Sequence, residues 1–219
     1  MAIKKIKAES REEWLEKRGE TRRIGGSECA SVLGLNPWLT NVDLWEIKTG
    51  RRQKHDVSDL KAVEYGRAAE EHLRELFALD FPQMFVEYEP NVFYVNDAYP
   101  FALASVDGLL TDLKGRLGIL EIKTSNIIGG SMKKKWDGRI PDNYFAQALQ
   151  YMAVLEADFV ILAAQLSYGT GDDLIKVTKH YRIEREDVEE DIAVLMAAEK
   201  DFWGYVERDE RPALILPEI

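Results

Sequence analysis

The sequence predicts a mixed α/β domain in which a central mixed sheet is flanked by helices. Strand-like segments are confined to the stretch after Pro82 and to a second stretch after Glu156, while helical periodicity occurs before, between and after them. No linker, internal repeat or low-complexity run interrupts the 219 residues, so residues 1–219 read as one domain, long enough to bury a sizeable core.

The first helical pattern runs from Glu9 to about Arg18. Ile24-Gly25-Gly26-Ser27-Glu28 then turns the chain into a short helix, with Ser27 in position to cap its free amides. Gly34 ends that helix, because glycine reaches the left-handed conformation without a Cβ clash. Thr40 to Thr49 reads as a helix stopped at Gly50. A longer helix spans about Asp59 to Leu79, with Val63, Gly66, Leu73 and Phe77 as its inward stripe. Glu70 lies on that stripe where an apolar residue is expected, whereas Glu71 points outward with Arg67 and Arg74.

Strands follow at Phe85 to Glu89, Val92 to Asn96, Phe101 to Thr111 and Leu117 to Thr124, separated by turn-forming Asn, Asp and Gly. Pro141 opens a helix from Asp142 to Glu156. A buried strand from Phe159 to Leu166, a glycine-rich turn and a return strand from Leu174 to Ile183 come next, and a helix from Arg185 to about Glu207 closes the domain.

Composition narrows the chemistry. Cys29 is the only cysteine, which excludes an internal disulfide and any multi-cysteine metal or iron–sulfur site. His55, His72 and His180 are scattered, so a zinc centre is not expected. A bound metal must then sit among oxygen ligands, which selects a hard cation such as magnesium or manganese. The net charge of −10 argues against a uniformly basic nucleic-acid binder. A local basic groove remains open, because acidity is concentrated at Glu184 to Asp191 while Lys133, Lys134, Lys135, Arg139, Arg18, Arg22 and Arg23 cluster elsewhere. No apolar run reaches the ~18 to 20 residues needed to span a bilayer, and no signal-peptide core follows the basic start. The expectation is a cytoplasmic protein without a membrane role.

The informative segment is Ala104-Ser105-Val106-Asp107-Gly108, followed after a turn by Leu120-Glu121-Ile122-Lys123-Thr124. Strand side chains alternate, so Glu121 and Lys123 share one face. A hairpin around Asp112 to Gly115 would bring Asp107 near Glu121. Two carboxylates beside an ammonium can hold a divalent cation and orient a water next to it. The plain alternative is a surface strand with a Glu/Lys pair, but Ile119, Leu120 and Ile122 place the strand inside the sheet, where unpaired charge is costly.

Asp107 followed by Glu121-Ile122-Lys123 resembles the PD-(D/E)XK nuclease signature, without the usual proline. Ile24 to Gly50, Gly66-Arg67-Ala68-Ala69-Glu70 and Tyr144 to Val154 resemble blocks of the YqaJ-type viral recombinase (lambda exonuclease) family, in the same order. The resemblance covers Trp14 to about Val154. It implies a restriction-endonuclease-like core and a 5′-to-3′ exonuclease on double-stranded DNA that releases 5′-mononucleotides and leaves 3′ overhangs for recombination. It further implies Mg2+ (with Mn2+ substituting), a homotrimer, a single-strand annealing partner protein and a bacterial or phage-infected host.

Carried over residue by residue, Asp107 and Glu121 are metal ligands together with the backbone carbonyl of Ile122. Glu70 completes the shell directly or through a water, and Lys123 positions the attacking water. Gln147 matches a glutamine that lines the family's site, with Gln150 as the alternative; an exposed helical glutamine is the competing reading. Arg18, four residues after Trp14, together with Ser27 and Ser105, matches residues that hold a 5′-terminal phosphate, with Arg22 or Arg23 as substitutes for Arg18. A glycine pair ahead of Ser27 and the start of its helix suit a closely approaching anion. Ser105 is expected on the same strand face as Asp107. An endonuclease of restriction or repair on the same core, or a non-catalytic DNA-binding relative, are the alternatives.

Overall fold

The computed structural model describes residues 2–217. In chain order the elements are β1 (Ile3–Lys7), α1 (Arg11–Thr21), α2 (Gly26–Cys29), α3 (Asn41–Lys48), α4 (Lys61–Asp80), β2 (Phe85–Glu87), β3 (Val92–Asn96) and β4 (Gly108–Thr111). They continue with β5 (Leu117–Asn126), α5 (Gly129–Lys135), α6 (Asp142–Leu155), β6 (Phe159–Tyr168), β7 (Ile175–Glu184) and α7 (Glu189–Glu207). The central sheet has the order β2-β4-β5-β6-β7. Only β5 and β6 run parallel, since α5 and α6 intervene between them; hairpins and returns make the other pairs antiparallel.

Helices cover both sheet faces, which explains why β6 is apolar almost throughout and β5 is buried from Gly118 to Ile122. On one face α4 places Ala69, Leu73 and Phe77 against Leu120, Ile122, Phe159 and Ile161. On the other, α6 is buried along most of its length between the sheet and α7, with Ile119 and Val160 beneath it. Among the described residues, no helix is long and apolar enough to cross a membrane.

Three local expectations change. The basic start forms β1, which pairs with β3 in a separate two-stranded sheet, so β3 lies outside the central sheet. Ile3-Lys4-Lys5-Ile6-Lys7 carries no two-residue alternation, so the tertiary partner decides this strand. The strand expected from Phe101 shrinks to Gly108–Thr111, with Ala102 and Ala104 forming single bridges to Ile24 and Tyr94. Ser27 does not cap its helix: Gly25 is the N-cap of α2 and Ser27 lies inside the helix. There Glu28 folds back to accept the Gly25 N–H at 2.9 Å, taking over the capping work.

Candidate active site

The site forms where β4 starts late. Its ladder with β5 runs from Gly108 opposite Leu120 to Thr111 opposite Leu117. Beyond Leu120 the edge of β5 is therefore open on that side, and Asp107, in a bend just ahead of β4, fills the gap. Its Oδ2 accepts the backbone N–H of Ile122 at 2.7 Å. A strand residue presents its N–H and C=O to the same side, so the Ile122 carbonyl faces this gap too.

Glu121 and Lys123 alternate with Ile122 and point to the α6 face. Lys123 Nζ lies 2.6 Å from Glu121 Oε1 and 5.0 Å from the centre of the Tyr144 ring. Gln147, buried on α6, donates Nε2 to the same Glu121 oxygen at 2.7 Å and to the Tyr151 hydroxyl at 2.9 Å. The second oxygen of Glu121, Oε2, is buried with no hydrogen-bond partner. From the opposite face α4 supplies Glu70, half-buried and, among the described residues, without a salt-bridge partner. Arg74 does not neutralise it; that guanidinium donates Nε to the Asp107 carbonyl at 2.7 Å and lies 3.6 Å over the Tyr88 ring.

Loss of solvent pushes the Glu121 carboxyl up to about 8, with the Asp107 and Glu70 carboxylates adding to the rise against the pull of Lys123. Burial raises Asp107 as well, and burial followed by the nearby Asp107 charge raises Glu70. Lys123 moves up despite its own burial because Glu121 and Asp107 favour its charged form. Three acids thus crowd one ammonium in a poorly solvated cleft, an arrangement that an added cation relieves.

The donors present fit a hard divalent ion. They are oxygens only, one of them a buried, unpartnered carboxylate oxygen. Asp107, Glu121 and the Ile122 carbonyl are the groups that would hold it. Among the described residues, no three acidic, His or Cys side chains converge tightly enough to make a ready-formed cage.

Arg18, Ser27 and Ser105 line the same cleft of about 250 Å³ as Glu70, Asp107, Glu121, Ile122, Lys123 and Gln147. The geometry separates the alternatives raised by the sequence. Arg22 and Arg23 face a neighbouring pocket instead. Gln150 is fully buried and clamps the Ile24 and Leu103 carbonyls at 2.9 and 2.7 Å, away from the cleft. The lysine run is exposed on α5 and does not line the cleft.

Two supporting ideas need correction. Ser105 is not on a strand face with Asp107, because the backbone leaves the ladder before β4; Ser105 Oγ donates to the Val92 carbonyl at 3.2 Å, and from there lines the cleft. The space a side chain would take at either glycine is already filled. A Cβ on Gly26 would fall 2.4 Å from the Tyr151 ring, and one on Gly25 would fall 2.8 Å from the Arg18 guanidinium. With α2 only four residues long, its dipole is small, so any phosphate there depends on Arg18 and the serine hydroxyls.

Arg11 also lines the cleft, and sequence reasoning passed over it. Its guanidinium stacks 4.4 Å from one ring of Trp14, while Arg18 lies 4.3 Å away. The spacing 11, 14, 18 is one helix face, which was a readable signal. Tyr151, one turn beyond Gln147 on the same helix face, was equally readable, whereas Tyr88 carried no such signal because its approach depends on how the segment after β2 packs.

The fold and cleft together define a class: a helix-flanked mixed sheet that presents acidic residues and a lysine at an interrupted β-hairpin. That fold is shared with a solved alkaline exonuclease, LHK-Exo from Laribacter hongkongensis (TM-score 0.64, 19% identity, covering 90% of this chain and 93% of that one). A second structure of that protein is a complex with dAMP. Residues 13–159 match the YqaJ-like viral recombinase domain, and the chain belongs to this family. It is also 30% identical over 195 residues to the uncharacterized protein YqaJ of Bacillus subtilis (strain 168), covering 89% of this chain. The match spans 56% of that relative's length.

Proposed function

We propose that this chain is a metal-dependent deoxyribonuclease that digests double-stranded DNA from its 5′ ends, releasing 5′-mononucleotides and leaving 3′ single strands for recombination. The observation that carries the reading is the meeting of Glu70, Asp107, Glu121 and Lys123 in one cleft, with a desolvated Glu121 oxygen left without a partner. Magnesium, or manganese in its place, is the cation we assign to Asp107, Glu121 and the Ile122 carbonyl; it would stabilise charge building on the phosphate and lower the pKa of a bound water.

The protein's own groups supply the rest. The Ile122 N–H orients the Asp107 carboxylate, and Gln147 with Lys123 orients Glu121 from the other side. Lys123 is held charged, so it serves as an electrostatic stabiliser and hydrogen-bond donor to a water and not as a general base. Arg18 and Ser27 offer a guanidinium and a hydroxyl to the cleft, suited to a terminal 5′-phosphate, and Ser105 would join them by turning its hydroxyl from the Val92 carbonyl. The dAMP complex of the structural relative is in keeping with a mononucleotide product. A homotrimer and an annealing partner protein are the assembly we propose by family likeness.

Incubation with linear and covalently closed circular duplex, with and without magnesium, tests the reading. Magnesium-dependent loss of linear DNA alone is expected. Digestion of both substrates would make the chain an endonuclease, and digestion of neither a binding module.

A further inference from the structure

Arg18 also lines a second cavity, of about 370 Å³, which Asp107 does not line. It is lined by Arg18, Arg22, Arg23, Lys48, Arg52 and Lys54, with Glu28 the only acid in its wall. Six cations around one carboxylate are a strong local excess in a chain whose net charge is −10.

Acids pair with Lys48, Lys54 and Arg52 of this wall and leave Arg18, Arg22 and Arg23 without an acidic partner among the described residues. Glu28 is buried, and its two oxygens are already committed to Lys48 at 2.7 Å, Lys54 at 3.0 Å and the Gly25 N–H at 2.9 Å. Arg52 is paired outward with Asp43. Arg23 donates Nε to the Pro100 carbonyl at 2.7 Å, and, among the described residues, neither Arg18 nor Arg22 has an acidic partner. Lys48, only 8% exposed, places two of its three N–H groups on the Arg23 carbonyl and Glu28, leaving one donor. A buried ammonium with a spare donor beside unpaired guanidiniums is a built anion site, since crowding like charges without an anion is destabilising.

Position gives the anion its identity. Arg18 lines both cavities and stands between them, against Gly25. A strand whose scissile phosphate lies at Asp107 and whose next phosphate toward the 5′ end lies at Arg18 would direct any phosphate beyond that one to this pocket. We infer that the pocket beside Arg18 is a second phosphate site, which takes the phosphate next in line, toward the 5′ side, to the one held at Arg18. This rests on the nuclease reading. The linked phosphate has two sources, a 5′-polyphosphate end or an overhanging 5′ nucleotide.

Two measurements test it. Calorimetry with inorganic pyrophosphate, in chelator so that no metal mediates binding, is run on the wild-type chain, on Arg22→Gln/Lys54→Gln, and on Lys176→Gln as a control on another face. Wild type and control are expected to bind, and the double variant to lose roughly tenfold in affinity, equivalent to about 1.4 kcal/mol. Identical affinity in all three, or no binding by wild type, overturns the site. Competition in calcium then compares duplexes ending in 5′-monophosphate, 5′-triphosphate or a 5′-phosphorylated one-nucleotide overhang. Tighter binding of the triphosphate alone identifies a polyphosphate site, and tighter binding of the overhang a backbone site. Equal binding of all three overturns the DNA assignment. Loss of the nuclease reading would show separately, as no digestion of any duplex in magnesium by a chain that still binds pyrophosphate.

Discussion

The carboxylate of Asp107 accepts the amide N–H of Ile122 at 2.7 Å, tying the bend before β4 to the open edge of β5. This bond takes the place of the ladder bond that β4 would have made had it continued, and it fixes Asp107 beside Glu121 without a regular strand. A carboxylate spent partly on its own scaffold retains one oxygen for other work.

Replacement of Asp107 or Glu121 by alanine is expected to abolish cleavage while DNA binding in calcium survives. Each change removes a proposed ligand and leaves the basic surroundings intact. Gel shift and digestion assays on the same preparations decide it: cleavage near the wild-type rate in saturating magnesium would refute the site.

Lys123→Ala is expected to cost about 3 to 4 kcal/mol of transition-state stabilisation, the scale of losing one preorganised electrostatic group. The ammonium is not a ligand, so metal affinity measured by calorimetry should change far less than turnover. Loss of both in proportion would make Lys123 a structural partner of Glu121.

A 5′-phosphorylated linear duplex is expected to be digested faster than the 5′-hydroxyl form, with Arg18→Ala or Ser27→Ala reducing the preference. Rates on the two ends are compared for each protein. Equal rates with wild type would remove the end-phosphate role while leaving the metal site standing.

Two buried glutamates should give opposite pH signatures. Burial alone would raise Glu28, but Lys48, Lys54 and the Gly25 N–H outweigh it and hold the carboxyl at about 2. Its stabilisation is therefore present above the ordinary glutamate range near 4.5 and is lost as pH falls towards 2. Glu28→Gln should cost roughly 3 kcal/mol at neutral pH, because Lys48 is left buried and uncompensated, and almost nothing near pH 2. Glu199 is fully buried with both oxygens unpartnered, and burial pushes it well up. Its favourable protonated form is kept at low pH, and stability is lost as pH rises through the ordinary range towards its raised value. Glu199→Met should stabilise the protein more at pH 8 than at pH 5, by chemical denaturation at both values; the reverse order would show that a partner satisfies it.

If Lys133, Lys134 and Lys135 touch the DNA backbone, reversing their charges should flatten the dependence of binding on salt, because fewer counterions are released. Their exposure on α5, outside the cleft, leaves an unchanged slope as the result that would return them to a solvated helix end.

The sequence alone determined the helix-flanked sheet, the elements of its central hairpin and the shared face of Glu121 and Lys123, because these follow from periodicities of 3.6 and 2 residues that each segment carries locally. It also marked Glu70, since a carboxylate on an apolar stripe is anomalous wherever the helix packs. Tertiary structure decided the rest. Whether Gln147 or Gln150 met Glu121 turned on the rotation of α6 against β5, and one helical turn either way exchanges the two. The pairing of β1 with β3, the late start of β4 after Asp107 and the presence of Arg18, without Arg22 or Arg23, in the lining of the cleft depend on partners distant in sequence. The glycines ahead of Ser27 show the same limit: the pair looks alike in sequence, yet α6 lays the Tyr151 ring against Gly26 while α1 brings the Arg18 guanidinium to Gly25.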